Sequence, residues 1–167
     1  WSTLPGITNK SGAAINGTLA NGVIMDVAVG PARAGTLLGR EYVAAVSDGL
    51  PGNNDWAGAN GSTDGGIYIL GATASWTVIG GTQGTAAGNG DFFRVEFSPG
   101  YVGNRVLAAT SVNATGVVAY WLLNTSTNTP LNGYPATVVA GAANSDPGGT
   151  LGADVTNIDI ALPSDFD

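Results

Sequence analysis

The sequence predicts an all-β protein, and three observations support that prediction. Short apolar or alternating runs, rich in β-branched and aromatic residues, recur along the 167-residue chain. Turn-forming residues separate these runs, and Gly alone fills 27 positions, about double its ordinary share. No window shows the sustained apolar spacing of an amphipathic helix. We therefore expect less than about 10% helix, and short strands joined by turns.

Eight strands are predicted, in two sets of four. The first set lies within residues 23–82 and the second within 92–142. In chain order the strands cover 23–29, 42–46, 66–70, 76–79, 93–97, 105–110, 117–123 and 136–140. Because turn residues bound each run, consecutive strands are expected to pair as antiparallel neighbours.

The two sets of strands align as repeats. Met25–Pro31 matches Phe93–Pro99 at an offset of 68 residues, and an Arg precedes the next strand in both sets, Arg40 in one and Arg105 in the other. The offset falls to 64 and then to 50 at the following strands. Ile158–Leu162 then restarts the pattern, so the sequence predicts the opening strand of a third repeat.

These offsets divide the chain into four parts. They are a lead-in at 1–22, a first repeat at 23–82 with an inserted loop at 48–65, a second repeat at 83–142, and a linker with the first strand of a third repeat at 143–167. A four-stranded antiparallel unit of roughly 65 residues is typical of a β-propeller blade, and a ring needs about four to eight blades. The chain is thus expected to be part of a longer protein or of an assembly. A single two-sheet sandwich with similar halves is the alternative.

Composition excludes several classes of function. Five Lys and Arg stand against 12 Asp and Glu, a formal net charge of -7, so nucleic acids and anionic membrane surfaces are not expected partners. The chain has no His and no Cys, which removes Ser-His-Asp and Cys-His catalysis and zinc, haem or iron–sulfur ligation through those residues. No stretch approaches 18 apolar residues, so no membrane insertion is expected. We interpret the start at Trp1 as that of a processed chain or an excised fragment.

One stretch of the second repeat resembles a known family. Phe97–Thr110 reads F-S-P-G-Y-V-G-N-R-V-L-A-A-T, and resembles the F-S-P-N-Y-x-x-D-x-x-[FL]-x-A-[TS] blade opening of Asp-box (BNR) propellers of the sortilin- and sialidase-like type. Gly66–Thr77 has the length, Gly, Tyr and Trp of the hairpin that follows in that family, without its Asp. Such repeats are common in large bacterial cell-surface and S-layer-like proteins, including those of Chloroflexi. The resemblance implies a propeller in an extracellular protein and does not by itself imply catalysis.

The inserted loop contains the candidate ligand-binding residues. Asp48, Asn53 and Asp55 place three oxygen-bearing side chains close together, and calcium takes six to eight oxygen ligands. Their spacing is not that of an EF-hand, and Asx-turns that close a long loop are the alternative interpretation. Trp56 follows directly and could stack on a sugar ring or contact a partner, the alternative being local packing in the loop. Calcium is the one possible cofactor, and none is required.

Glycosylation sequons of the form N-x-[ST] are also present. They begin at Asn9, Asn16, Asn60, Asn113 and Asn124. A sequon is used only when the chain passes through a glycosylating export pathway, so these asparagines are possible sites under that condition.

Some acids and arginines outside the inserted loop are candidate catalytic groups. Asp26, Glu96 and Asp159 fall on or beside the first strand of successive repeats, which indicates an exposed face or the lining of a central channel. A glycosidase would need two of these carboxylates as a pair. Asp26, Glu96 and Asp159 are also the acids whose positions recur with the repeat, which favours a positional role.

A sialidase-type site would need three Arg, a Tyr nucleophile and an acid. The chain offers Arg33, Arg40, Arg94 and Arg105. Arg40 and Arg105 occupy equivalent positions in different repeats. They are interpreted as strand-entry residues paired with nearby acids, as Arg40 with the adjacent Glu41.

The sequence thus favours a non-enzymatic, extracellular structural module of a cell-surface protein, S-layer or filament-like, acting through protein–protein packing. Its expected partners are further copies of itself or other surface-layer proteins. The alternatives are a glycan-binding module that uses the 48–65 loop, and a fragment of a glycosidase propeller. We further expect 155–163 to pair with another strand, in the 92–142 sheet or in a partner subunit, because unpaired strand edges are sticky.

Overall fold

Two antiparallel sheets form the described part of the chain. The computed structural model describes residues 4–7, 14, 22–36, 39–47, 65–72, 75–79, 82, 91–112, 118–139 and 158–166. Of these residues 55% are strand and 4% helix. The predicted all-β class is therefore confirmed, as are two antiparallel sheets.

The first sheet is a four-stranded meander. Its strands are β1 (Val23–Ala32), β2 (Arg40–Ser47), β3 (Gly66–Leu70) and β4 (Thr77–Val78), hydrogen-bonded in the order β1-β2-β3-β4. All three pairings are antiparallel. Sequence order and spatial order coincide, as expected for strands joined directly by turns and loops.

The second sheet repeats this order with one modification. Its strands are β5 (Asp91–Phe97), β6 (Val106–Val112), β7 (Val118–Asn124), β8 (Thr129–Pro130) and β9 (Ala136–Val139), and the one-turn helix α1 (Tyr101–Asn104) connects β5 to β6. The order is β5-β6-β7-β8, and β9 also pairs with β7. β8 and β9 pair with different parts of β7, so together they take the place of a single fourth strand.

The central strands are covered on both faces, which explains their continuous apolar sequence. In β2 the run Val43–Val46 is completely inaccessible to solvent, and every residue of β6 is buried. Four of the central positions in these strands are alanines, whose small side chains allow neighbouring layers to approach closely.

The two sheets share a β-bulge at the corresponding place in their first pair of strands. One extra residue interrupts the pairing of β1 with β2 at Met25, and one interrupts the pairing of β5 with β6 at Phe93. These two β-bulges lie 68 positions apart, which is the offset that matched Met25–Pro31 to Phe93–Pro99. Because bulges are specific features of a strand pair, their coincidence supports the alignment of β1 with β5.

The two later offsets are corrected by the hydrogen-bonded register. Val46 corresponds to Ser111, an offset of 65 rather than 64. Gly66 corresponds to Ala119, an offset of 53 rather than 50. Similar residue types had suggested the shorter offsets, whereas cross-strand pairing decides which residues are equivalent.

Each sheet has two faces that can be named by equivalent residues, because paired residues point to the same side. The front face of the first sheet carries Ala28, Val43, Ala45, Ile67 and Ile69, and its back face carries Val27, Val29, Ala44, Val46 and Tyr68. The front face of the second sheet carries Glu96, Ala108, Thr110, Tyr120 and Leu122, and its back face carries Val95, Phe97, Ala109, Ser111 and Trp121.

The main core lies between unlike faces. One cluster of buried side chains contains Val43, Ala45 and Ile67 from the front face of the first sheet and Val95 and Trp121 from the back face of the second. A two-fold arrangement of similar halves would bring like faces together. Here the second sheet follows the first head to tail, which is the heterologous type of interface.

The chain's lead-in covers part of the back face of the first sheet. Ile7 is buried there against Ala44 and Tyr68. The indole Nε1 of Trp76 donates a hydrogen bond of 2.8 Å to the carbonyl oxygen of Pro5. This segment closes the outer part of a face that would otherwise expose apolar side chains.

Residues 158–166, here called the tail, cover the front face of the second sheet. Ile160, Leu162 and Phe166 pack in the cluster formed by Val106, Ala108 and Leu122. Residues 158–163 form no strand within the chain, so the prediction that this segment pairs with the 92–142 sheet is wrong. The tail packs through its side chains as a third layer rather than extending the sheet edge. Pairing with a partner subunit stays a prediction.

A close approach of the two sheets accounts for Gly30 at the end of β1. A Cβ at this position would lie 2.9 Å from Cζ of Phe97 and 3.1 Å from the carbonyl oxygen of Glu41. We expect Gly30→Ala to lower the free energy of unfolding by about 1–3 kcal/mol, the range for overpacking. Gly103→Ala is the matched control, since nothing lies within 4 Å of a Cβ there. Urea denaturation measures both, and equal stabilities of the two variants would contradict this packing.

Candidate functional site

A buried carboxylate joins the first sheet to the second. Glu41, the second residue of β2, is only 5% exposed. Arg105 Nη2 donates to its Oε1 at 2.8 Å, and Arg105 Nη1 lies 2.8 Å from Oε2. The Tyr101 hydroxyl donates to Oε2 at 2.9 Å, and Arg33 Nη1 donates to Oε1 at 2.7 Å. Tyr101 and Arg105 belong to the connection between β5 and β6, so the contact joins the first sheet to the second unit.

The turn around α1 brings Tyr101 and Arg105 to Glu41. Arg105 ends the helical turn in the left-handed region, with φ 61°. This conformation places its guanidinium 4.2 Å from the centre of the Tyr101 ring, a cation–π arrangement. The ring of Phe97 meets Tyr101 edge to face at 4.5 Å between centroids. Tyr101 and Arg105 are therefore positioned by contacts within the second unit as well as by Glu41.

Side-chain hydrogen bonds build the same turn from within. Asn104 Oδ1 accepts from the Ser98 hydroxyl and from the Val106 backbone N–H, both at 2.9 Å. These bonds close the connection between β5 and β6 over six residues. The Ser and Asn of the F-S-P-G-Y-V-G-N stretch thus have a structural role in this chain.

The electrostatics of the cluster keep Glu41 charged and Tyr101 neutral. Burial raises the pKa of Glu41, but hydrogen bonds from Arg105 and Tyr101 and the charges of Arg105 and Arg33 outweigh burial and hold that pKa below its ordinary value of 4.5. Burial, together with the adjacent Glu41, raises the pKa of Tyr101 far above its ordinary value of 10.0. The Tyr101 hydroxyl therefore stays protonated and acts as a donor.

The lowered pKa of Glu41 gives a signed pH dependence. A carboxyl whose pKa is lower in the folded chain than in the unfolded chain adds stability at pH values above the unfolded pKa. That contribution should be present above about pH 4.5 and lost as pH falls through the folded pKa. Urea titrations at closely spaced pH values measure it, with Glu41→Gln as the reference. A wild-type and a variant chain with parallel acid profiles would contradict the assignment.

The predicted pairing of Arg40 with the adjacent Glu41 is wrong. Arg40 Nη1 donates instead to the Gly30 carbonyl oxygen at 2.9 Å. Successive residues of a strand point to opposite faces, so neighbours in sequence such as Arg40 and Glu41 are badly placed to pair. Tyr101 was missed as a partner because 60 positions separate it from Glu41. Its place in the F-S-P-G-Y stretch was the available signal.

The cluster contains the residue types of a sialidase-type site, namely a Tyr, an acid and two Arg. Its geometry favours a structural role. Tyr101 is 1% exposed, and its hydroxyl also lies 2.9 Å from Thr125 Oγ1. Both oxygens of Glu41 are engaged by partners of the chain itself. A substrate would have to displace these contacts to reach the carboxylate.

A second polar site lies beside the first strands of the two sheets. It is an open groove of about 320 Å³ lined by Asp26, Arg94, Val95, Glu96, Asp159 and Ile160. Arg94 lies between two acids, 3.5 Å from Asp26 and 3.5 Å from Asp159. Asp26 Oδ2 also accepts the backbone N–H of Val95 at 3.1 Å, and Arg94 Nε donates to the Ile158 carbonyl oxygen at 3.2 Å.

Asp26, Glu96 and Asp159 all line this groove, but the prediction that all three recur at one repeat position is wrong, because the offset of 68 places Arg94, and not Glu96, at the position of Asp26. Asp26 and Asp159 each accept the N–H of the following residue at 2.9 Å, so they share one local geometry. Arg94 occupies the space between them. In the part of the chain that the structure describes, no group of three His, Cys, Asp or Glu is arranged to hold a metal ion.

Most candidate ligand residues lie outside the described residues. These are Asp48, Asn53, Asp55, Trp56, Asn9, Asn16, Asn60 and Asn113. Asn124 is described: its Oδ1 accepts the N–H groups of Ser126 and Thr127, at 2.8 and 3.1 Å, and closes the turn after β7. Its use as a glycan acceptor stays a prediction.

Comparison with known proteins identifies no relative of this chain. No family model matches it, and neither a curated protein nor a solved structure is significantly similar. Among the described residues, no helix is long and apolar enough to cross a membrane.

Proposed function

We propose that this chain is a non-enzymatic structural module of an extracellular, cell-surface protein, and that it acts by stacking blade-like sheets through protein–protein packing. Each sheet is a unit with one front and one back face, as in a propeller blade. The units continue in a head-to-tail series supplied by further repeats or other surface-layer proteins.

The observation that supports this proposal is the meeting of unlike faces at the interface between the sheets. The bulges at Met25 and Phe93 establish which residues are equivalent. The front face of one unit then packs on the back face of the next. A heterologous interface leaves one complementary face open at each end, and therefore supports extension into a ring or a filament.

The polar sites also favour packing over catalysis. Glu41, Tyr101 and Arg105 are buried at the interface and bond to one another across it. Asp26 and Arg94 connect the first strands of the two units. Glu41, Arg105, Asp26 and Arg94 thus each contact the neighbouring unit, which favours a role in holding the units together.

Fractionation of source cells tests the proposed function. Antibodies against the chain should label intact cells, and the protein should sediment with the cell envelope and be released by a chaotrope. Recovery in the cytosol, with labelling only after permeabilisation, would contradict it. A fluorogenic sialoside assay of the purified chain should show no hydrolysis above the Tyr101→Phe variant.

A further inference from the structure

Three pairs of apolar residues occupy equivalent positions along the chain. They are Val27 and Val29 in β1, Val95 and Phe97 in β5, and Ile160 and Leu162 in the tail. The second pair packs on the front face of the first sheet, and the third pair packs on the front face of the second sheet. The second and third pairs therefore each cover the sheet that precedes them in the chain.

Among the described residues, nothing covers the first pair in this way. Val27 and Val29 are 45% and 56% exposed, whereas Val95 is 3% exposed. Ile24 lies on the same face and is 42% exposed. The described residues of the lead-in contact the outer part of this face, where Ile7 packs with Ala44 and Tyr68. A strip of the back face along β1 thus remains open in the chain that the structure describes.

The tail closely imitates β1. Ile158-Asp159-Ile160-Ala161-Leu162 repeats Met25-Asp26-Val27-Ala28-Val29 with conservative differences only. Met25 and Ile158 pack against the same buried cluster, formed by Phe93 and Val112. Asp26 and Asp159 accept the following N–H in the same way, and each lies 3.5 Å from Arg94.

The tail also binds the front face of the second sheet more weakly than a whole sheet packed on that face would. Its packing on the front face of the second sheet uses side chains, and the Arg94 side chain donates a hydrogen bond from Nε to the Ile158 carbonyl oxygen. Asp159 is 82% exposed, so its ion pair with Arg94 adds little stability. A complete sheet with the same apolar pattern would bury more area on that face than this single segment does.

We propose that a second copy of this chain docks the back face of its first sheet on the front face of the second sheet of the first copy, displacing the tail. The inference rests on the proposed function and names its partner. Val27 and Val29 of the incoming copy take the places of Ile160 and Leu162. Its Asp26 takes the place of Asp159 beside Arg94. The tail is then an internal cap that limits head-to-tail assembly.

Sedimentation velocity over a concentration series tests the proposal. Ile160→Asp with Leu162→Asp releases the tail, and should lower the dissociation constant for self-association at least about tenfold relative to the wild-type chain. Adding Val27→Asp should abolish the association. Adding Val102→Asp is the matched control: Val102 is an exposed valine on α1, belongs to neither of the two strands that carry the docking residues, and should leave the association unchanged.

A second variant controls for unfolding of the first variant. Asp159→Arg places two like charges together and loosens the tail without removing apolar contacts, and it should promote association in the same direction. Near-ultraviolet circular dichroism confirms that the variants keep the native packing. Folded variants that remain as monomeric as the wild type, or associate regardless of Val27→Asp, would overturn the docking. Envelope localisation would stand in that case, so the two failures are distinguishable.

Discussion

Replacing Glu41 by Gln is expected to lower the free energy of unfolding by about 3–5 kcal/mol. Removing one partner of a buried ion pair leaves the other charge uncompensated, and this range is typical of that loss. Here the charge left behind is Arg105, whose side chain is only 12% exposed. Tyr101 would also keep its hydroxyl in a buried place with a weaker acceptor.

Chemical denaturation measures this loss, and Glu96→Gln is the control. Glu96 is a half-buried acid on β5 that faces the open groove. Its replacement should change stability by no more than about 0.5 kcal/mol, as is usual for surface sites. Similar losses from the two variants would show that Glu41 does not hold the sheets together.

Replacing Trp121 by Ala should have an effect of similar size, about 3–5 kcal/mol, because large buried aromatic side chains leave a cavity when truncated. Trp121 is 1% exposed, and its ring lies 5.3 Å from that of Phe92. Its indole Nε1 donates to the Ser111 hydroxyl at 2.7 Å, and that bond is lost as well.

The matched control for Trp121 is Trp76. Trp76 is half-buried on the outward side of the first sheet and donates to Pro5. Trp76→Ala should cost less because fewer contacts are lost, and its effect should be seen mainly in the packing of the lead-in. Thermal unfolding of both variants makes the comparison. A larger loss at Trp76 would contradict the placement of the core between the two sheets.

The class and the order of the elements were predictable from local pattern. β-branched runs between turn residues predicted eight strands in two sets, and the structure confirms two antiparallel sheets. The predicted offset of 68 also separates the two bulges, at Met25 and Phe93, and the repeat itself stays a prediction. The offsets at later strands were wrong by one and three residues, since residue similarity does not report hydrogen-bonded register.

The polar contacts were harder to predict because they join distant parts of the chain. The ion pair of Glu41 with Arg105 spans 64 positions, and the adjacent Arg40 was the wrong partner. The tail had the apolar alternation of a strand, yet it packs on a face instead of pairing along an edge. Alternation shows which side chains share a face, but it does not show whether a neighbouring strand is present to form hydrogen bonds.

The central claim is that the front face of the first sheet packs on the back face of the second. Methyl-resolved nuclear Overhauser spectra of the full chain test it most directly. The methyl groups of Val43 and Ala45 should show cross-peaks to back-face groups such as Val95, Ala109 or the Trp121 ring. Cross-peaks from Val43 and Ala45 to Ala108 and Leu122 instead would place like faces together and contradict the head-to-tail stack.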